Sequence, residues 1–313
     1  MSVKVFIDGS SGTTGLCIAD RLAQRPEIEL LSISAEGRKD VNERAKVINS
    51  ADLAFLCLPD AASKEVMPLL RPDVKVLDTS TAFRTDAAWD YGFPELKGQK
   101  AKIQNSYRVA VPGCYASGFI SIASPLVELG LVPQSYPFSC TGISGYSGGG
   151  KKMIAEYESA DRPAHSKLDA PKSYGLGLAH KHLPEMQKIS GLAHTPMFVP
   201  VVCDYYCGMQ VLVPLDLTLA GSTAEQVAEG IAAYYKDAAT VKVHALNEAL
   251  PENGLYSNAM AGTDRMELYM TVNAVGDQMM LVSLFDNLGK GSSGAAVQCM
   301  NLMLGLEETK GLE

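Results

Sequence analysis

The fold turns on "VKVFIDGSSGTTGLCIADRLAQR", residues 3–25. Val3–Asp8 is a short apolar run rich in β-branched residues, the composition of a buried strand. Gly9, Gly12 and Gly15 follow it at G-x-x-G-x-x-G spacing, and beyond them Leu16, Ala19 and Leu22 can share one helix face. Glycines at a strand-to-helix turn let the backbone bend tightly and let a pyrophosphate approach. The free N–H groups of the helix start can then bind that anion. Ser11, Thr13 and Thr14 add hydroxyl donors to the loop. The competing reading is a tight turn that holds no ligand.

The same alternation continues outward. Residues 28–34, 52–59 and 74–80 read as strands, and 60–70 reads as a helix with Asp60 as its N-cap candidate. Nearly continuous apolar strands alternating with helices imply a buried parallel sheet with helices on both faces. After Cys114 the pattern changes. Residues 115–132 begin as a helix, 136–145 are strand-like, and 146–178 form a long polar stretch. Later strands at 195–202, 208–217, 266–274 and 278–287 surround one helix at 222–236, for which Ser222 and Glu225 suggest a capping box. Few crossover helices imply a mostly antiparallel sheet with helices on one face. The expected fold is α/β: an N-terminal doubly wound Rossmann-type domain (1–114 with the last helix, 292–313) and an α+β domain over 115–291.

The chain has 313 residues, 47% hydrophobic and 20% charged, with a formal net charge of -8. That excess of acid argues against a general binder of nucleic acid or anionic membrane, so an anionic ligand must meet a local basic site. No apolar stretch approaches ~18 residues, and "MSVKVFIDGSSG" shows no basic run followed by an apolar one, so export is not expected. The seven cysteines (17, 57, 114, 140, 203, 207 and 299) contain no C-x-x-C pair. A cytoplasmic location is expected, and there a special cysteine is more often catalytic than structural.

Two positions bear on chemistry. The tip of the second strand carries Ser34 where NAD sites usually place an acid, and Arg38 and Lys39 follow, with Glu36 as the competing signal. Hydroxyls and cations suit a 2′-phosphate, so NADP is the expected cofactor. Cys114, in "VPGCYAS" (111–117), stands between a strand-like run and a helical one. A helix N-terminus favours thiolate, which is a competent nucleophile near neutral pH.

"VPGCYAS", "DTSTAFR" (78–84), "HKHLPE" (180–185) and "DNLGKGSSGAAVQ" (286–298) resemble the N-acetyl-gamma-glutamyl-phosphate reductase family, relatives of aspartate-semialdehyde dehydrogenase. The likeness spans nearly the whole chain and is closest to the family's shorter form. Ala116 and Ser117 stand where Pro and Thr are usual in that family, small changes that leave the cysteine untouched. The resemblance implies NADPH-dependent reduction of N-acetyl-glutamyl 5-phosphate to the 5-semialdehyde, with Cys114 forming the thioester, in arginine biosynthesis. It also implies a catalytic histidine in "AHKHLPE", where His180 and His182 both remain candidates and Glu185 could orient one of them. Arg84 is the candidate substrate cation and Ser144, in "SGYSGGGKK", a second substrate contact. Ser80 and Asn287 are candidate cofactor contacts.

A metal site of H-x-H type lacks further ligands. Related acyl phosphates, aspartyl or acetyl-aminoadipyl, are alternative substrates. An NADP-binding sensor without catalysis is the alternative of another class. The expected partners are a small-molecule substrate and further copies of the chain, as a homodimer or homotetramer.

Overall fold

Along β1 (Val3–Asp8) alternate side chains enter two different cores. Val5 and Ile7 pack on one face with Ile18 and Leu22 of α1 (Thr13–Ala23). Phe6 packs on the other with Ala45 and Ile48 of α2 (Val41–Ser50). The computed structural model describes residues 2–313. Its first unit comprises the residues up to Pro112 together with Ser292–Leu312; the second is Gly113–Gly291 with Glu313.

In the first unit β2 (Ile28–Leu31), β3 (Leu53–Leu56), β4 (Lys75–Asp78), β5 (Asp90–Tyr91) and β6 (Arg108–Ala110) join β1 in the order β2-β1-β3-β4-β6-β5, and every pairing is parallel. The strand order reverses between β1 and β3, the switch point outside which such sheets bind ligands. α3 (Asp60–Val66) covers the same face as α2, and α4 (Gln99–Asn105) the same face as α1. Local details differ from expectation. β2 stops at Leu31, so Ser34 lies outside the sheet. Pro59, not Asp60, stands at the cap of α3. Asp60 is its first helical residue, and its carboxylate accepts Thr81 N–H at 2.9 Å.

The second unit is built around α5 (Cys114–Glu128), which is buried from Tyr115 to Leu126. A helix apolar on every side belongs inside a core. Pro125 inside α5 has no N–H for the carbonyl of Ser121. Tyr235 Oη donates to that carbonyl at 2.8 Å, so the missing bond is replaced.

The accompanying sheet runs β11-β12-β13-β10-β7-β9-β8, from β7 (Ser139–Gly145), β8 (Lys172–Ser173), β9 (Met197–Cys203), β10 (Met209–Asp216), β11 (Val241–Val243), β12 (Met266–Val272) and β13 (Gln278–Phe285). Four of its six pairings are antiparallel; β7/β9 and β11/β12 are parallel. The sheet is therefore mixed, and the parallel β7/β9 pair requires a crossover. The polar stretch after residue 146 supplies it, carrying α6 (Gly150–Tyr157) and α7 (Leu183–Ile189).

α8 (Leu217–Ala220) precedes α9 (Ala224–Tyr234), whose capping box lies one residue later than expected. Thr223 and Gln226 form it, while Ser222 donates its hydroxyl to Leu131 O at 2.5 Å. The chain then returns through α10 (Gly294–Met303), which packs with β1 and β3 in the first unit. No helix among the described residues is long and apolar enough to cross a membrane.

Gly118 lets α5 sit against the sheet. A Cβ there would stand 2.5 Å from Val211 Cγ2 and 2.7 Å from Ser283 Oγ. Ala would gain about 1 kcal/mol of helix propensity and incur about 1–3 kcal/mol of overpacking. Contacts this short put the cost at the upper end. Gly118→Ala is therefore expected to lose about 1–2 kcal/mol net in a denaturant melt; a neutral or stabilised variant would show that α5 is not clamped at this point.

Candidate active site

In the first unit the glycine loop forms a tight cradle. Gly9 has φ +88°, and a Cβ on it would lie 2.3 Å from Cys57 O, so only glycine fits. A Cβ at Gly15 would lie 2.5 Å from Gly9 O, which lets α1 begin directly against the loop. Gly12 caps α1 with no side-chain bond, so the helix start keeps N–H groups for an anion. Thr13 Oγ1 is buried with no hydrogen-bond partner among the described residues, and Thr14 Oγ1 lies 3.1 Å from Ser292 Oγ. Ser11 is exposed at the tip.

Beside the loop is a cavity of about 370 Å³, whose wall includes Gly9, Ser10, Ser11, Ser32, Arg38 and Arg44. Phosphate loop, unsatisfied hydroxyl and two arginines suit a dinucleotide phosphate. Ser34 is exposed, and its hydroxyl accepts Gly37 N–H at 3.0 Å, shaping the turn that carries Arg38.

Two further candidates in this unit are engaged by the protein itself. Ser80 donates its N–H (2.9 Å) and hydroxyl (2.5 Å) to Asp78 Oδ1. Arg84, the expected substrate cation, is 8% exposed. Its Nε donates to Val111 O and one terminal nitrogen to Thr79 O, both at 2.9 Å. Those bonds brace the chain beyond β4 against the chain beyond β6, a role that spacing alone does not reveal.

In the second unit Gly113 is the N-cap of α5 and Cys114 its first residue. The half-buried thiol thus stands at the positive end of a helix. Other cysteines sit differently: burial pushes the Cys57 thiol up to about 12 and raises those of Cys140 and Cys203 as well. Gly113 N–H donates to Glu185 Oε2 at 3.3 Å. Glu185, 2% exposed on the first turn of α7, therefore holds the bend that presents Cys114.

The two histidines fall apart in character. His182 is buried and caps α7. Its backbone N–H donates to His180 Nδ1 at 3.2 Å, which leaves the His180 proton on Nε2. Burial, helped by the neighbouring Lys181 charge, lowers the His180 imidazole to about 4.

The rings of His180 and His182 meet at 4.7 Å, and both border Tyr115, at 5.9 and 6.1 Å. Tyr115 follows Cys114 directly, and its hydroxyl donates to Val201 O at 3.2 Å and contacts Tyr174 and Ser144. Burial, then the Cys114 charge, lifts Tyr174 to about 12. Neither tyrosine was singled out from sequence. Tyr115 had the signal of adjacency to Cys114, and Tyr174 had none.

Ser144 is buried and donates its hydroxyl to Gly145 O at 3.1 Å. Asn287, also buried, accepts Gly208 N–H at 2.8 Å and donates to Ser147 Oγ at 2.9 Å, so its amide ties three segments together. The turn after Asn287 passes beside the thiol, since a Cβ on Gly291 would stand 3.0 Å from Cys114 Cβ.

Comparison with known proteins agrees with this arrangement. Residues 4–104 match the semialdehyde dehydrogenase NAD binding domain, and residues 114–287 match the semialdehyde dehydrogenase dimerisation domain. The N-acetyl-gamma-glutamyl-phosphate reductase of Trichormus variabilis is 46% identical over 99% of this chain and 99% of its own. That of Burkholderia cenocepacia (strain HI2424) is 46% identical over 96% of this chain and 97% of its own. Among solved structures, aspartate semialdehyde dehydrogenase II from Vibrio cholerae covers 97% of this chain and 99% of that one, with a TM-score of 0.71 and 18% identity. At that identity the likeness speaks for the fold alone. By its full-length relatives and both matched domains, the chain belongs to the N-acetyl-gamma-glutamyl-phosphate reductase family.

Proposed function

We propose that this chain reduces N-acetyl-glutamyl 5-phosphate to N-acetyl-glutamate 5-semialdehyde with NADPH, releasing phosphate, by way of a thioester on Cys114. The observation that carries the reading is Cys114 at the first position of a buried helix, on a bend held by Glu185. The name borne by relatives 46% identical over 99% and 96% of the chain supports the choice of substrate.

Cys114 Sγ, as thiolate at the helix start, attacks the acyl carbon. The C–S bond forms, the bond to the phosphate oxygen breaks, and phosphate leaves with the electron pair. Phosphate is a good leaving group, so the protein's main task is placement. When bound in the glycine cradle, NADPH supplies the hydride that reduces the thioester carbon. Neutral His180 offers an Nε2–H to the carbonyl oxygen as negative charge gathers there. Collapse to the aldehyde breaks the C–S bond and returns the thiolate to the helix start. Gly9, Gly12, Gly15, Thr13 and Thr14 would hold the pyrophosphate, and Arg38 would meet the 2′-phosphate.

The same reading makes the protein a homodimer or homotetramer, in keeping with the dimerisation domain it matches. It also places the protein in the cytoplasm, where its seven cysteines stay reduced.

Assayed in reverse with N-acetyl-glutamate 5-semialdehyde, phosphate and NADP, the enzyme is expected to form NADPH. A rate with aspartate semialdehyde and none with the acetylated aldehyde would sink the substrate assignment. Cys114→Ser should lower turnover by at least about 10⁴-fold while NADP binding, read by calorimetry, is kept.

The His180 imidazole lies at about 4 in the folded chain against an ordinary 6.5. Between those values the unfolded chain binds the extra proton, so this group subtracts stability as pH falls through the window. His180→Gln should flatten that part of the dependence of the urea midpoint on pH. An unchanged slope would mean that His180 is not held neutral.

A further inference from the structure

Arg44 is a cation the proposed chemistry leaves unused. It lies on α2 and is 7% exposed, yet it lines the cavity beside the glycine loop. Its Nε is buried with no hydrogen-bond partner among the described residues. Its two terminal nitrogens approach Asp8 Oδ2 at 3.7 Å and Glu65 Oε2 at 3.6 Å, charge contacts longer than hydrogen bonds. Asp8 Oδ2 is itself buried without a hydrogen bond. A guanidinium carries five N–H donors in a fixed fork, and burying it with a donor unmet and its charge only loosely paired is costly.

The position of the cavity says which ligand. Its wall is made by the C-terminal part of β1 (Phe6, Ile7, Asp8), the end of β2 (Leu30, Leu31) and the loop start (Gly9, Ser10, Ser11). In a sheet of this order that is where the adenosine ribose of a dinucleotide lies, next to the phosphate loop. Arg38, on the exposed turn after β2, stands in the same wall. A phosphate has three oxygens to satisfy, and a fork-shaped donor meets two of them at once.

We propose that Arg44 is a specificity-determining residue: with Arg38 it grips the ribose 2′-phosphate, and so it selects NADP over NAD. The inference rests on the NADP reading above. Arg38 supplies charge from the solvent side and Arg44 from the buried side, where screening by water and salt is weaker. Asp8 and Glu65 hold the guanidinium loosely until the phosphate arrives. The ribose diol of NAD carries no phosphate oxygens and cannot use the fork in this way.

Three measurements test the proposal. Calorimetry of the wild-type protein with 2′-AMP and 5′-AMP comes first. Tighter binding of 2′-AMP supports a phosphate subsite, whereas equal binding, together with equal use of NADH and NADPH, would sink the NADP reading before Arg44 is in question. In Arg44→Met, 2′-AMP affinity and the KM for NADPH should weaken by on the order of tenfold to a hundredfold, with 5′-AMP and NADH changed by less than about twofold. Equal losses for NADPH and NADH would assign Arg44 to the adenine or to the fold and overturn the proposal. If Arg44→Met does not fold, Glu65→Gln decides, because Glu65 is 62% exposed and competes for the same guanidinium. It should tighten 2′-AMP binding and leave 5′-AMP as it was; no change in 2′-AMP binding overturns the proposal.

Discussion

The seat of α5 on the second sheet is the constraint from which the proposed chemistry follows. Gly118 removes the side chain where the helix meets Val211 and Phe285, and Ser283 Oγ donates to Gly118 O at 3.1 Å. Phe119 meets Phe138 edge to face at 5.7 Å, and Tyr235 covers the carbonyl that Pro125 leaves open. A helix held at so many points along its length has little freedom to slide or turn. Its first residue, Cys114, is therefore fixed in place by the seat of the helix. The gain is electrostatic as well as geometric. Elsewhere burial raises thiols, as at Cys57 and Cys140. At a helix start the same low dielectric strengthens the dipole that favours thiolate.

Topology brings a second segment to the start of α5. β7 and β9 run parallel, so the chain between them must cross over the sheet rather than turn back in a hairpin. The crossover carries Tyr174, His180, His182 and Glu185. Its outer part is tied down at Arg162, whose guanidinium reaches Asp204 at 2.9 and 2.5 Å and also pairs with Asp169. Its inner part is tied at Glu185, which grips the Gly113 N–H. That bond joins the crossover to the start of α5, so the placement of α7 and the placement of the thiol are coupled.

Much of this was legible where the cause is local. Apolar runs, the glycine spacing and the Pro-Gly bend before Cys114 are read from neighbours in sequence, and β1, α1 and the start of α5 follow from them. The boundaries that moved did so for competing partners. Ser222 was a plausible cap, but its hydroxyl serves Leu131 while Thr223 closes the box with Gln226. Arg84 and Asn287 carry the chemistry of ligand-binding side chains, and the fold uses both as braces between distant segments. Arg44 gave no signal at all, since its neighbourhood in sequence is an ordinary polar helix. Only the fold of β1, β2 and α2 brings it to the cavity. Local spacing predicts a side chain's surroundings only where neighbours in sequence determine them, and the surroundings of these three were determined by contacts far along the chain.

The state of His180 can be weighed against what the proposed reaction needs. A base that must take a proton from a thiol works best near the working pH, and an imidazole at about 4 is a poor one. The hydrogen bond from His182 N–H to His180 Nδ1 works in the same direction, because an imidazolium would have to give up that acceptor. Both features hold the ring neutral with Nε2–H as a fixed donor. The helix start already favours thiolate, and phosphate needs no proton to depart, so neither half of the first step calls for a strong base. What remains is the growing charge on the carbonyl oxygen, and a neutral donor with no competing charge of its own can meet it at either hydride addition or thiolate attack. A depressed imidazole thus fits an acyl-phosphate reductase better than it would a hydrolase, where a poor leaving group must be protonated.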